Sequence, residues 1–135
     1  MEKRKAVSVI CVLDISGSMD TEASQGANGA EENGFTRLDL VKHSINTIIN
    51  SLGDRDLLAL VPFSDSARVA FDLTKMDVNG KNSASNTLKD IRTEGCTNIW
   101  DGIKIGLELT KDERCYNKNT FVILLTDGEP NVNPP

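Results

Sequence analysis

The sequence predicts an α/β fold, a mostly parallel central sheet with one antiparallel edge strand and helices on both faces, and three observations carry that expectation. Near-continuous apolar runs at 6–13, 56–64 and within 120–130 have the character of strands covered on both sides, as at the centre of a parallel sheet. Stretches with helical spacing fall between them, the alternation expected of crossover connections. The first and last runs each end abruptly in an aspartate, Asp14 and Asp127, followed by turn residues. At 135 residues, 39% hydrophobic and 26% charged, the chain reads as one domain, 1–135, large enough to bury a core without disulfide or metal staples.

The elements follow in order. "AVSVICVL" at 6–13 is the first buried strand. Residues 20–34, small, polar and acidic, break all periodicity and read as a long loop. From Thr36, a predicted N-cap, Leu38, Val41, Ile45, Ile48, Ile49 and Leu52 share one helical face, and Gly53 is the expected stop. "DLLALVPFS" at 56–64 is the second buried strand, with Pro62 expected at its end or at a bulge because proline cannot donate to a ladder. Past the short "SDSA", alternation at Val69, Phe71 and Leu73 predicts a hairpin partner at the sheet edge. A short helix is expected at 83–92, anchored by Leu88 and Ile91. A further helix is expected from Asn98 to Thr110, with Ile99, Ile103 and Leu107 on one face and Gly102 and Gly106 allowing close packing. "TFVILLTDGEP" closes the pattern with another buried strand.

Composition excludes several function classes. A formal net charge of −5 leaves no excess of Lys and Arg to displace counterions from phosphates, so neither nucleic acid nor an anionic membrane is an expected partner. No apolar run approaches the length of a membrane span, and "MEKRK" followed by a strand-length apolar segment is not a convincing signal peptide. The three cysteines form no CxxC pair and are expected to be structural, Cys11 as a small hydrophobe in its strand. With no N-x-[ST] acceptor either, the expected location is cytoplasmic.

Parallel strands with right-handed crossovers align their carboxyl ends along one edge, where ligands of such folds bind. Asp14 and Asp127 both stand just past such an end, and "GCTNIWDG" adds Thr97 at the start of a helix. Taken singly, "DISGS" reads as a turn, Thr97 as a helix cap and Asp127-Gly128 as another turn. Together with Ser16 and Ser18 they form an all-oxygen set with no His or Cys competing. Two carboxylates and several hydroxyls suit Mg²⁺, a hard cation that takes near-octahedral oxygen ligands at about 2.1 Å and keeps several waters.

These residues resemble the von Willebrand factor type A domains, whose metal-ion-dependent adhesion site is written D-x-S-x-S, then a distant Thr, then a distant Asp. Here it reads Asp14-Ile15-Ser16-Gly17-Ser18, Thr97 and Asp127, and "RLDLVKHSI", "PFSDSARV", "GCTNIWDGIKIGLEL" and "FVILLTDGEPN" resemble family blocks in family order. The resemblance implies a Rossmann-like fold and Mg²⁺ or Mn²⁺ held directly by Ser16 and Ser18. Thr97, Asp14 and Asp127 would join directly or through water, and an acidic side chain of a partner protein would complete the shell. Two departures stand out: the loop at 20–34 is longer than the family's compact junction, and the chain stops where the family continues, so C-terminal strands are expected to be missing. The open apolar edge this leaves is expected to favour self-association. The blocks look most like intracellular family members, which often accompany ubiquitin-ligase or other signalling domains.

The expected function is thus a cation-dependent protein-binding module, not an enzyme. A phosphatase of the aspartyl-phosphate type needs a second Asp where Ser16 stands, His43 falls in a helix pattern as a solvent-facing residue, and no G-x-G-x-x-G follows the first strand. A scaffold role without metal-dependent binding is the remaining alternative.

Overall fold

The computed structural model describes residues 5–20, 36–116 and 118–126, the side chains of Ser18 and Asp20 excepted. Most of the loop at 20–34, and Asp127 with the tail after it, lie outside the described residues. The chain runs through β1 (Val7–Asp14), a 3-10 turn (Gly17–Asp20), α1 (Arg37–Ser51), β2 (Leu57–Phe63), β3 (Phe71–Lys75), α2 (Val78–Asp90), α3 (Ile99–Leu109), a second 3-10 turn (Glu113–Cys115) and β4 (Asn119–Leu125).

The strands form one sheet in the order β3-β2-β1-β4. β1 pairs in parallel with β2, from Ser8 opposite Leu57 to Asp14 opposite Phe63, and with β4, from Val7 opposite Asn119 to Leu13 opposite Leu125. β3 is antiparallel to β2 at the edge, as the alternation at Phe71 and Leu73 predicts, although Val69 precedes the strand and is exposed. From β1 the chain moves first to β2 on one side and returns as β4 on the other. The carboxyl end of β1 is therefore where the strand order reverses, the place at which α/β sheets open a crevice.

Strand alternation divides the core in two. Val9, Cys11 and Leu13 join Ile45 and Ile49 of α1 and Ala84 and Leu88 of α2 on one side. Ile10, Val12, Ala59, Val61 and Phe63 face the other way with Ile99, Ile105 and Leu109 of α3. Burial pushes the Cys11 thiol up to about 12, so it behaves as the small hydrophobe expected. α3 lies very close to the sheet: a Cβ on Gly102 would stand 2.7 Å from Phe63 Cδ1, and one on Gly106 2.7 Å from Val12 Cγ2. Gly102 and Gly106 thus give the close packing expected of them, and of the predicted face Ile99 packs against this core while Leu107 does not. The glycine pair, four residues apart, is the line that meets the sheet, and Leu107, one helical step beyond it, is left half exposed.

The helix ends follow local chemistry. α1 starts from a capping box, Thr36 Oγ1 accepting the Asp39 N–H and Asp39 Oδ2 accepting the Thr36 N–H, and it ends at Leu52, one residue ahead of the expected glycine. α2 begins at Val78, five residues earlier than predicted, because Asp77 caps it by accepting the Gly80 N–H at 2.8 Å. Its buried positions are Gly80, Ala84 and Leu88, two of them too small to register as an apolar stripe. Pro62 sits one residue before the end of β2. No helix among the described residues is long and apolar enough to cross a membrane.

The amino ends of the strands are held by a residue that periodicity does not single out. Asp56, buried at the entry to β2, accepts the Val7 N–H of β1 at Oδ1 (2.9 Å) and the Gly53 N–H at Oδ2 (2.7 Å). On the α3 side, Arg114 donates to the Leu73 carbonyl at 3.1 Å and pairs with Asp72 (3.2 Å) and Asp112 (2.8 Å). The hydrogen bonds from Arg114 hold the Asp112 carboxyl at about 2, and Asp112 and Asp72 in turn raise the Arg114 guanidinium.

Candidate metal centre

Asp14 is the last residue of β1 and is fully buried. Beyond it the chain bends across β2: the Ile15 N–H donates to the Phe63 carbonyl at 2.9 Å, and the Ile15 side chain plugs the core beneath the turn. The next residue folds back on the carboxylate. Both the Ser16 N–H (2.8 Å) and the Ser16 hydroxyl (2.6 Å) donate to Asp14 Oδ1, while Thr126, just after β4, donates its hydroxyl to Oδ2 at 2.7 Å. Three donors thus compensate a buried carboxylate, which would otherwise be costly to desolvate. A hydroxyl has one proton and two lone pairs. With that proton directed at Asp14, Ser16 Oγ can meet any further group only as an electron-pair donor.

Thr97 reaches the same edge on the segment between α2 and α3. That segment is stitched to the β1 turn by Glu94 N–H to Ile15 O (2.6 Å) and Gly17 N–H to Gly95 O (3.0 Å). It is tied to the loop after β2 by Asn98 N–H to Ser64 O (2.7 Å) and Ser64 Oγ to Glu94 Oε2 (3.3 Å). Thr97 is buried, and it is not the helix cap that a reading of the residue by itself suggests. Asn98 caps α3, its side chain accepting the Asp101 N–H at 3.2 Å, so Thr97 stands one residue ahead of the helix.

Of the five residues singled out in the sequence, the fold therefore brings Asp14, Ser16 and Thr97 to one loop cluster at the carboxyl edge of the sheet. Ser18 lies in the 3-10 turn Gly17–Asp20 that follows, its side chain outside the described residues, as is Asp127. The described members are one carboxylate and two hydroxyls, hard oxygen donors of the kind Mg²⁺ and Mn²⁺ take, and the orientation of Ser16 fits that use. Thr126, which donates to Asp14 Oδ2, is a contact that the sequence reading does not single out; its one signal is a hydroxyl residue preceding the last aspartate. His43 is exposed on α1, as expected.

Residues 9–129 match the family model of the von Willebrand factor type A domain. Among curated proteins, the chain is 27% identical over 128 residues to the E3 ubiquitin-protein ligase WAV3 of Arabidopsis thaliana, covering 94% of this chain and 15% of that protein. It is 34% identical over 132 residues to the inter-alpha-trypsin inhibitor heavy chain H4 of Sus scrofa, covering 93% of this chain and 12% of that one. The chain thus spans a small part of the relatives it matches. Among solved structures, the PilB minor pilin from Streptococcus sanguinis superposes with a TM-score of 0.76 at 28% identity, over 97% of this chain and 32% of the pilin. A von Willebrand factor type A protein from Catenulispora acidiphila superposes with a TM-score of 0.71 at 22% identity, over 97% of this chain and 28% of that one, and shares the fold. With four strands among the described residues in the order β3-β2-β1-β4, helices on both faces and a family match over nearly its whole length, the chain belongs to the von Willebrand factor type A domain family.

Proposed function

We propose that this domain is a divalent-cation-dependent protein-binding module, without catalysis of its own, whose ligand set is Asp14, Ser16, Ser18, Thr97 and Asp127. These residues would hold Mg²⁺ or Mn²⁺, and the cation when bound supplies the positive charge that a domain of net charge −5 lacks, so that a Glu or Asp carboxylate of a partner protein completes its shell. The observation that carries the reading is the buried Asp14 carboxylate receiving three hydrogen bonds, one of them aligning the Ser16 hydroxyl. Asp14 orients Ser16, Thr126 holds Asp14, and the knitted loops keep Thr97 at the same edge. Neutral hydroxyls bind a cation without cancelling its charge, which is what attraction of a further carboxylate requires.

The likeness to WAV3 and to the inter-alpha-trypsin inhibitor heavy chain supports an interaction domain of a larger protein. The three free cysteines support a cytoplasmic setting. Calorimetric titration with Mn²⁺ tests the metal reading: Ser16→Ala and Thr97→Ala should each weaken binding about tenfold or more while the far-UV spectrum stays unchanged. Wild-type protein that binds no Mn²⁺, or variants that bind as tightly as the parent, would sink it.

A further inference from the structure

We propose that Asp65, in the loop after β2, is a positioning residue for this centre: it latches the segment that carries Thr97 into register with Asp14 and Ser16. The proposal rests on the metal reading above and assigns to that site a residue that is not one of its ligands.

Asp65 engages the Thr97 segment at three positions, Gly95, Cys96 and Asn98. Its Oδ1 accepts the Cys96 N–H at 2.7 Å, immediately before Thr97. Its main-chain carbonyl accepts the Asn98 side-chain Nδ2–H at 3.1 Å, immediately after Thr97. Ahead of both, the carboxylate lies against Gly95, where a Cβ would stand 2.8 Å from Oδ1, 3.1 Å from Cγ and 3.2 Å from Oδ2. Gly95 adopts a φ of 64°, the left-handed region that glycine enters without strain, so the bend that presents the Cys96 N–H to Asp65 depends on the same residue whose missing side chain admits the carboxylate.

Thr97 is thus gripped on both sides by one residue of another loop. That loop is itself fixed to the first ligand turn, since Phe63, two residues before Asp65, accepts the Ile15 N–H through its carbonyl. The grip therefore closes a circuit: β1 turn to β2 loop to Thr97 segment, and back through Gly17 N–H to Gly95 O. A ligand set drawn from separate loops needs such ties, because each loop left to itself loses cation affinity to conformational freedom. Asp65 is exposed, so its bond to Cys96 competes with water, and the packing against Gly95 is what keeps the carboxylate in place.

Two readouts on Asp65→Ala and Asp65→Asn test the latch. The first is amide hydrogen exchange at Cys96 in the protein without added metal. It should quicken about fivefold to tenfold in Asp65→Ala, which loses the acceptor, and return close to the parent rate in Asp65→Asn, whose Oδ1 can still accept. The second is Mn²⁺ titration, in which Asp65→Ala should bind about tenfold more weakly with an unchanged thermal midpoint, and Asp65→Asn should recover most of the loss. Gly95→Ala should likewise quicken Cys96 exchange and weaken Mn²⁺ binding, since its methyl would displace the carboxylate, and it should also lower the thermal midpoint because alanine is strained at a φ of 64°. Unchanged Cys96 exchange in Asp65→Ala overturns the latch, and so does quickened exchange with Mn²⁺ affinity intact. Equal losses in Asp65→Ala and Asp65→Asn would trace the effect to charge and overturn it as well. Wild-type protein that binds no Mn²⁺ defeats the metal reading by itself, and the positioning role falls with it even if the exchange result holds.

Discussion

Two aspartates are buried at opposite ends of the sheet, Asp56 where the parallel strands begin and Asp14 where they finish, and they are satisfied by different kinds of donor. Asp56 accepts main-chain N–H groups from Val7 and Gly53. Asp14 accepts one main-chain N–H from Ser16 and two hydroxyls, from Ser16 and Thr126. An amide N–H can only donate. Its bond to Asp56 leaves the Val7 amide nothing further to offer and pins β1 to the start of β2. A hydroxyl that donates still has electron pairs to offer, so at the other end of the sheet Asp14 orients the Ser16 oxygen in a way that suits the proposed cation. Under the proposed function it is the donors around the two carboxylates, and not their burial, that set them apart.

One substitution made at both ends should separate them. In Asp56→Asn, one face of the new amide is itself a donor and meets an N–H that cannot reverse its role, so a buried donor is left unsatisfied. We expect a loss of about 2 kcal/mol in stability by urea denaturation, with Mn²⁺ affinity unchanged. A stability within error of the parent would show that water or a shifted backbone replaces Asp56.

Asp14→Asn should do the converse. The Asn oxygen can accept from Ser16 while its NH₂ donates to the Thr126 hydroxyl, which turns to accept, so the local network re-forms with its polarity reversed. Stability should change by less than about 1 kcal/mol. Mn²⁺ affinity should fall about 100-fold, because the charge is gone and the Thr126 hydroxyl is turned round. If Asp14→Asn proved as unstable as Asp56→Asn and bound Mn²⁺ normally, the distinction drawn between the two ends would fail.

A third carboxylate, Asp112, extends the comparison to the surface and should give the smallest effect. Its carboxyl is held at about 2, below the ordinary 3.8, chiefly by side-chain and main-chain hydrogen bonds from Arg114. A depressed folded value means that the contribution of the pair to stability is complete above about pH 4 and is lost as pH falls towards 2. The pair is open to solvent, so that contribution should be slight and weakened by salt. Carbon-detected NMR titration should place the Asp112 midpoint near 2 in the parent and near its ordinary value in Arg114→Gln; a midpoint unmoved by that substitution would remove Arg114 as the cause.

The same contrast explains what was legible in advance. Buried parallel strands declare themselves by unbroken apolar runs, and β1, β2 and β4 stood out for that reason. α1 carried both a full apolar face and a capping box, and its start was readable to the residue. α2 was foreshortened because Gly80 and Ala84 are buried without being large, and on α3 the close approach at Gly102 and Gly106 was legible while Leu107, which a periodicity count puts on the inner face, is exposed. The ligand residues could be proposed from their residue types and their places at strand ends. Asp56, Asp65 and Thr126 could not, because each acts on a partner from another part of the chain: Val7, 49 residues from Asp56; Cys96, 31 from Asp65; and Asp14, 112 from Thr126.

By itself the sequence determined the class of the fold, the order of its elements and the oxygen-rich residues at the strand ends, since all three follow from periodicity and residue type over short windows. Only the tertiary structure decided which oxygens meet, which way the Ser16 proton points, that Asn98 and not Thr97 caps α3, and that Gly95 leaves room for Asp65. These are matters of ångströms between loops distant in the chain. They are set by the register of β2 and β4 against β1 and by the hydrogen bonds that loop backbones must find once the core beneath them is packed.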